Sequence, residues 1–186
     1  MENNITKQGL SIREICYIGI FVAIMAVCAQ VSIPFPGGVP FTLQTWAVYL
    51  AGVILGAKKG TIAVLVYILL GAMGVPVFTQ FRSGLGTLFG ATGGFIMSFP
   101  IMAFIAGTAR NRNHIALLIA GLILGVFVNL SLGMLWFANV TENSLQAAFS
   151  AAVAPFIPAE IFKIATVPII GKSIETALSK ARMAVN

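Results

Sequence analysis

The chain has 186 residues, of which 59% are apolar and 9% charged, with eleven basic residues against five acidic ones. A soluble domain of this length needs far more polar surface, so the composition excludes one and points to an all-α integral membrane protein. The basic excess then reads as a topology signal and gives no support to nucleic-acid binding.

Apolar runs predict six membrane spans, at about 12–32, 43–57, 60–76, 92–109, 114–139 and 145–171, within one membrane domain covering 1–186. The first run starts late and is as long as a full span, which argues against a cleaved leader. On its helix Cys16 and Cys28 are twelve residues apart, or ~18 Å at the α-helical rise, too far for a disulfide. Gly19 and Ala23 form a small-xxx-small pair on the same helix, and Ala26 extends the narrow face. Such a face permits close helix contact, within the chain or with another subunit.

The loop after the first span reads SIPFPGGVPFTLQT, residues 32–45, and the loop after the third reads GVPVFTQFRSGLGTLFGATGGF, residues 74–95. Both are rich in Gly and Pro and mix aromatics with amides and hydroxyls. Phe35, Phe41, Phe78, Phe81 and Phe89 stand among Thr42, Gln44, Thr79, Gln80 and Thr92. Non-helical backbone at membrane depth needs protein or water around it, and this mixture suits a small-molecule pocket covered by the loops. Between the loops, Tyr67 shares a helix face with Leu70 and Gly71, which suits either a phenol in the pocket or a core tyrosine.

Asn129 lies in the apolar fifth span and needs a hydrogen-bond partner inside the protein, either a ligand or another helix. His114, the one histidine, sits beside Arg110 and Arg112 in a link and reads as an interfacial residue. The sixth span carries Pro155, Pro158 and Pro168, which predict an interruption near its start. Pro158 suits a first helical turn, so Glu160 and Lys163 fall early in the helix that follows, three residues apart on one face. Ionisable groups inside spans usually face a cavity on a ligand or ion path; the alternative is a lysine that snorkels to the headgroups with an exposed glutamate beside it.

Nine of the eleven basic residues share one side of a six-span arrangement: Lys7, Arg13, Lys58, Lys59, Arg110, Arg112, Lys172, Lys180 and Arg182. That side is the cytoplasm and holds both termini, while the two loops face outward. Catalytic patterns are lacking: there is no HExxH, no Cys/His cluster for a metal and no G-x-S-x-G elbow. Gly171-Lys172-Ser173 imitates the end of a phosphate-binding loop, but its required earlier glycine is Thr166. No catalytic role and no cofactor are expected, and the chain is not expected to hydrolyse ATP by itself.

Taken together, VPFTLQT (39–45), GAKKG (56–60), YILLGAMGVPVF (67–78), GATGGF (90–95) and PFIPAEIFK (155–163) resemble the BioY family in order and in placement between the spans. These are biotin-specific substrate-binding (S) components of energy-coupling factor (ECF) transporters. Two departures stand out: Ala91 and Phe95 replace the proline and tyrosine of the family's G-P-T-G-G-Y, and Ala159-Glu160 replaces its usual Gly-Asp. The resemblance implies a six-helix, multi-pass protein of the cell membrane that captures biotin outside, partnered by a transmembrane coupling (T) subunit and two ABC-type ATPases. Gly19, Ala23 and Ala26 would then meet the coupling subunit.

For the ligand, Lys163 with help from Arg82 is assigned to the anionic end, and Gln44, Gln80, Thr92 and Asn129 are candidates for the urea, although the sequence does not decide which end faces Lys163. Glu160 either orients Lys163 or accepts a urea N–H, and Thr42, Tyr67, Phe78 and Phe89 complete the expected wall. Two other readings remain open at this level: an S component for a different small vitamin, and a self-sufficient secondary transporter with Glu160 as a proton carrier. The absence of a detectable internal repeat weighs against the second.

Overall fold

A computed structural model describes residues 10–35, 37–110 and 114–180. Of the basic residues used for topology, Lys7, Arg112 and Arg182 lie outside these. The described chain is mostly helical. Helix α1 (Ile12–Gln30) opens on a capping box, in which the Ser11 hydroxyl accepts the Glu14 N–H and the Glu14 carboxylate accepts the Ser11 N–H. A two-residue hairpin follows, β1 (Ser32–Ile33) antiparallel to β2 (Phe41–Thr42), with Ser32 opposite Thr42.

Next come α2 (Gln44–Leu55) and α3 (Ala57–Ala72), joined through Gly56 alone. Gly56 has φ +83°, a left-handed conformation that glycine adopts without a steric penalty. The expected second outer loop contains a short helix, α4 (Leu85–Phe89), before α5 (Gly93–Thr108). Helix α6 (Ile115–Val140) is the longest at 26 residues. The sixth predicted segment breaks where its prolines suggest: α7 (Leu145–Ala152) ends in a tight 3₁₀ turn at Ala154–Phe156, and α8 (Ile157–Lys180) carries on. Pro168 sits buried inside α8 without ending it.

Helix α2 lies at the centre of the bundle, and Ala47 to Leu55 are all buried. It packs on α5 and α3 through glycines: a Cβ on Gly52 would overlap the Ala103 backbone, and one on Gly60 would meet Ala51 and Gly52. Fully buried Tyr49, Met102, Leu122 and Val167 fill the section below, from α2, α5, α6 and α8.

Each predicted span is helical, but among the described residues three helical stretches are long and apolar enough to cross a bilayer: Ile12–Gln30, Ile115–Val140 and Leu145–Lys180. Helices α2, α3 and α5 have 12, 16 and 16 residues, short of the ~20 that a full crossing takes. The surface is inverted relative to a water-soluble protein, with Val27, Leu69, Phe104, Phe127, Phe162 and Ile169 all exposed. Such a surface suits lipid, and the chain is a membrane protein.

Helix α8 also runs nine residues past the predicted end of its span. Ile170, Ile174 and Leu178, at helical spacing, pack against the core there, while Lys172, Ser173 and Thr176 stay exposed. At the same end Arg110 donates to Ile54 O at 2.9 Å and pairs with Glu175 at 2.8 Å, and Lys59 pairs with Glu14 at 2.6 Å.

Candidate functional site

At the other end of α2 and α8, the hairpin, the α3–α5 connection and the tops of α5, α6 and α8 enclose a cavity of about 250 Å³. This is near the lower end of the ~300–1,000 Å³ typical of small-molecule sites. Its walls carry Thr42, Gln44, Phe78, Gln80, Arg82, Thr92, Asn129, Glu160 and Lys163, nine of the residues singled out from the sequence. Tyr67 and Phe89 are not on the wall.

Helix α8 contributes the ionised groups. The Lys163 ammonium lies 2.7 Å from Glu160 Oε1 and donates to the Thr45 hydroxyl, also at 2.7 Å. Thr45, on the first turn of α2, donates in turn to the same Glu160 oxygen at 3.2 Å. Lys163 is 3% exposed and Glu160 7%, so the snorkelling alternative is overturned: both side chains turn inward. The i, i+3 spacing puts them on one face, and α2 supplies the hydroxyl that completes the triangle.

An ammonium has three N–H bonds. Two are spent here, and the nitrogen stands 4.9 Å from the Phe41 ring centre, a cation–π distance. Glu160 Oε2 is buried and has no hydrogen-bond partner among the described residues. A buried acceptor left in that state is costly unless a donor reaches it.

Gln44 stands at the start of α2, 3% exposed, with one N–H and its amide oxygen engaged. Its Nε2 donates to the Tyr67 hydroxyl at 2.6 Å, and its Oε1 accepts from the Thr79 hydroxyl at 3.4 Å. The Tyr67 hydroxyl passes its own proton to Val77 O at 2.8 Å. Tyr67 is therefore the core tyrosine of the two readings: fully buried, edge-on to Phe78 at 5.7 Å, it holds Gln44 from behind. Thr42 steadies the same turn by accepting the Gln44 N–H at 3.3 Å.

Asn129 has found its partner on a helix. Its Nδ2 donates to Phe95 O at 3.0 Å and to Ser98 Oγ at 2.6 Å. The Phe95 carbonyl only accepts, which fixes the amide orientation and leaves Oδ1 as the atom available to a ligand donor. Thr92 stands at the N-cap position of α5 and makes no side-chain capping bond. The glycines that follow are there for contact: a Cβ on Gly94 would strike Trp136 on α6.

Phe89 is 59% exposed and lies against the Trp136 ring at 6.5 Å, because the short α4 turns it outward. Trp136 donates to Gly90 O at 3.0 Å and so ties the α4–α5 junction to α6. Sequence reading missed Thr45, although it ends the VPFTLQT stretch, and it missed the apolar wall from Phe95, Phe99 and Phe156. Phe156 also meets Phe35 at 6.0 Å, joining the hairpin loop to the start of α8. On α1, Gly19 and Ala23 are exposed, while Ala26 turns half inward against the core.

The model of the BioY family matches residues 1–180. The probable biotin transporter BioY of Pyrococcus horikoshii is 39% identical over 88% of this chain and 96% of its own length. The biotin transporter BioY of Thermotoga maritima is 38% identical over 85% and 93%, and BioY2 of Lactococcus lactis 36% over 92% and 95%. Among solved structures, an S-component for biotin from an ECF-type ABC transporter superposes with a TM-score of 0.80 at 24% identity, covering 95% of both chains. That likeness establishes the fold.

Proposed function

The chain belongs to the BioY family, and from that premise we propose that it captures biotin at the outer face of the cell membrane as the S component of an ECF-type ABC transporter. The observation that carries this reading is the buried Lys163–Glu160–Thr45 cluster on the wall of a small cavity that mixes aromatic and polar side chains. It fits a ligand with an apolar bicyclic body and a polar urea. The reading includes six crossings with both termini in the cytoplasm. It is supported by the helical state of every predicted segment and by the position of Lys58, Lys59, Arg110, Lys172 and Lys180 at the end remote from the cavity. A coupling subunit and two ATPases supply the energy, and Gly19 and Ala23 offer the exposed face for the coupling subunit.

Depth favours one orientation of the ligand, the reverse of the assignment drawn from residue types. Lys163 is matched in charge by Glu160, so the deep wall is polar but close to neutral. It offers one ammonium N–H for the urea carbonyl and, on Asn129 Oδ1, an acceptor for a urea N–H. The rings lie along Phe95, Phe99 and Phe156. The carboxylate stays at the mouth, where Arg82 is exposed and a charge keeps part of its water. Gln80 and Thr92 line the passage between, and Gln44, tied to Tyr67 and Thr79, stands on the wall.

Titration of the purified chain with biotin and a panel of other vitamins tests the substrate. Binding of biotin alone is expected, and no heat with biotin would sink the reading. Uptake into proteoliposomes, with and without the coupling subunit and ATPases, tests the assignment as a subunit. ATP-independent accumulation would overturn it.

A further inference from the structure

Residues 78–82 make a tight turn, closed by the Phe78 N–H donating to Arg82 O at 3.0 Å. Phe78, Thr79, Gln80 and Arg82 line the cavity, and Phe81 points away, 71% exposed. The middle of the turn is unusual: Gln80 and Phe81 have φ of +59° and +55°, and neither is glycine. Residues with a Cβ avoid this left-handed region, and two in succession need an outside hold.

That hold is Gln30, the last residue of α1. Its Oε1 accepts the Phe81 N–H at 2.8 Å, and its Nε2 donates to Phe78 O at 3.1 Å and to Ala26 O at 3.1 Å. The Phe81 N–H only donates and the two carbonyls only accept, so the partners fix the amide orientation. Gln30 is half-buried and is not on the cavity wall. One side chain therefore satisfies both polarities of the turn and anchors it to the backbone of α1.

We propose that Gln30 is a positioning residue for ligand retention: it locks the 78–82 turn in the conformation that sets Gln80 and Arg82 over the cavity mouth, and so slows release. This rests on the biotin reading above. Without the clamp, the turn relaxes from its left-handed conformation, and the two side chains leave the mouth while the deep wall stays intact. Retention is then lost with little change in the fold.

The test uses the full chain in detergent, wild type and Gln30→Met, with radiolabelled biotin and with trypsin. Met keeps the length of the side chain and removes both hydrogen-bonding atoms. Two results are expected together: biotin dissociates about tenfold faster, and cleavage after the exposed Arg82 accelerates in ligand-free protein while the unfolding midpoint holds. Gln30→Glu keeps the acceptor for Phe81 but turns a carboxylate oxygen toward the Phe78 and Ala26 carbonyls, and it should release biotin at least as fast as Gln30→Met. An unchanged dissociation rate overturns the proposal. So does faster dissociation with unaltered cleavage and a lowered midpoint, which marks a general loss of stability. Should the parent bind no biotin, the biotin reading fails by itself, and the proteolysis arm still decides whether Gln30 holds the turn.

Discussion

The Gln44 amide meets the Tyr67 hydroxyl at 2.6 Å, between the first turn of α2 and the middle of α3, and both side chains are buried. The pair joins a wall residue of the cavity to the backbone of the α3–α5 connection through Val77 O. Tyr67→Phe removes one oxygen and strands two groups, Gln44 Nε2 and Val77 O. A loss of ~1–3 kcal/mol follows, the cost of leaving buried partners unsatisfied. Thermal unfolding in detergent should show it directly, with a smaller loss of biotin affinity by calorimetry.

Lys163→Met tests the buried ion pair. With the ammonium gone, Glu160 is left in the wall without a countercharge, and stability should fall by ~3–5 kcal/mol. The double variant Glu160→Gln/Lys163→Met removes both charges and should recover most of that loss. Affinity should not recover, since the N–H aimed at the ligand is missing in both. Parallel unfolding and binding measurements separate the two effects, and a double variant that binds as the parent does would remove Lys163 from the binding site.

Arg82→Ala tests which end of the ligand lies at the mouth. Biotin should lose about two- to fivefold in affinity, the size expected for an exposed charge pair, and the loss should shrink at high salt. Biotin amide, which lacks the carboxylate, should bind parent and variant alike, whereas Lys163→Met should weaken both ligands. The opposite pattern would put the carboxylate in the deep wall.

Gly52→Val probes the packing of α2 on α5. Its Cβ would overlap the Ala103 backbone, so the helices must part, at ~1–3 kcal/mol for overpacking. Gel filtration and unfolding report the damage, which should reach the cavity only through the shift of α2.

The helices were legible because apolar runs and proline positions act locally. The break before α8 follows from Pro155 and Pro158, and the shared face of Glu160 and Lys163 from their spacing. Whether that face met lipid or protein was not legible, since it depends on where α2 stands and on Thr45, a hydroxyl with no periodic signature. Tyr67 was ambiguous for the same reason: the residue it supports is 23 positions away, across a helix joint. Phe89 was misplaced because α4, only five residues long, left no readable period to show its direction. The extension of α8 to Lys180 was hidden by polar residues on its outer face, which pulled the apolar average below that of a span.

The tightly filled section at Tyr49, Met102, Leu122 and Val167, with the Arg110 bonds to Ile54 O and Glu175 beyond it, bears on how cargo gets across. Opening a path from the cavity toward the far end would mean unpacking that fully buried layer and breaking those ties. Release that leaves this layer packed would require the protein to move as a whole, with its interior undisturbed.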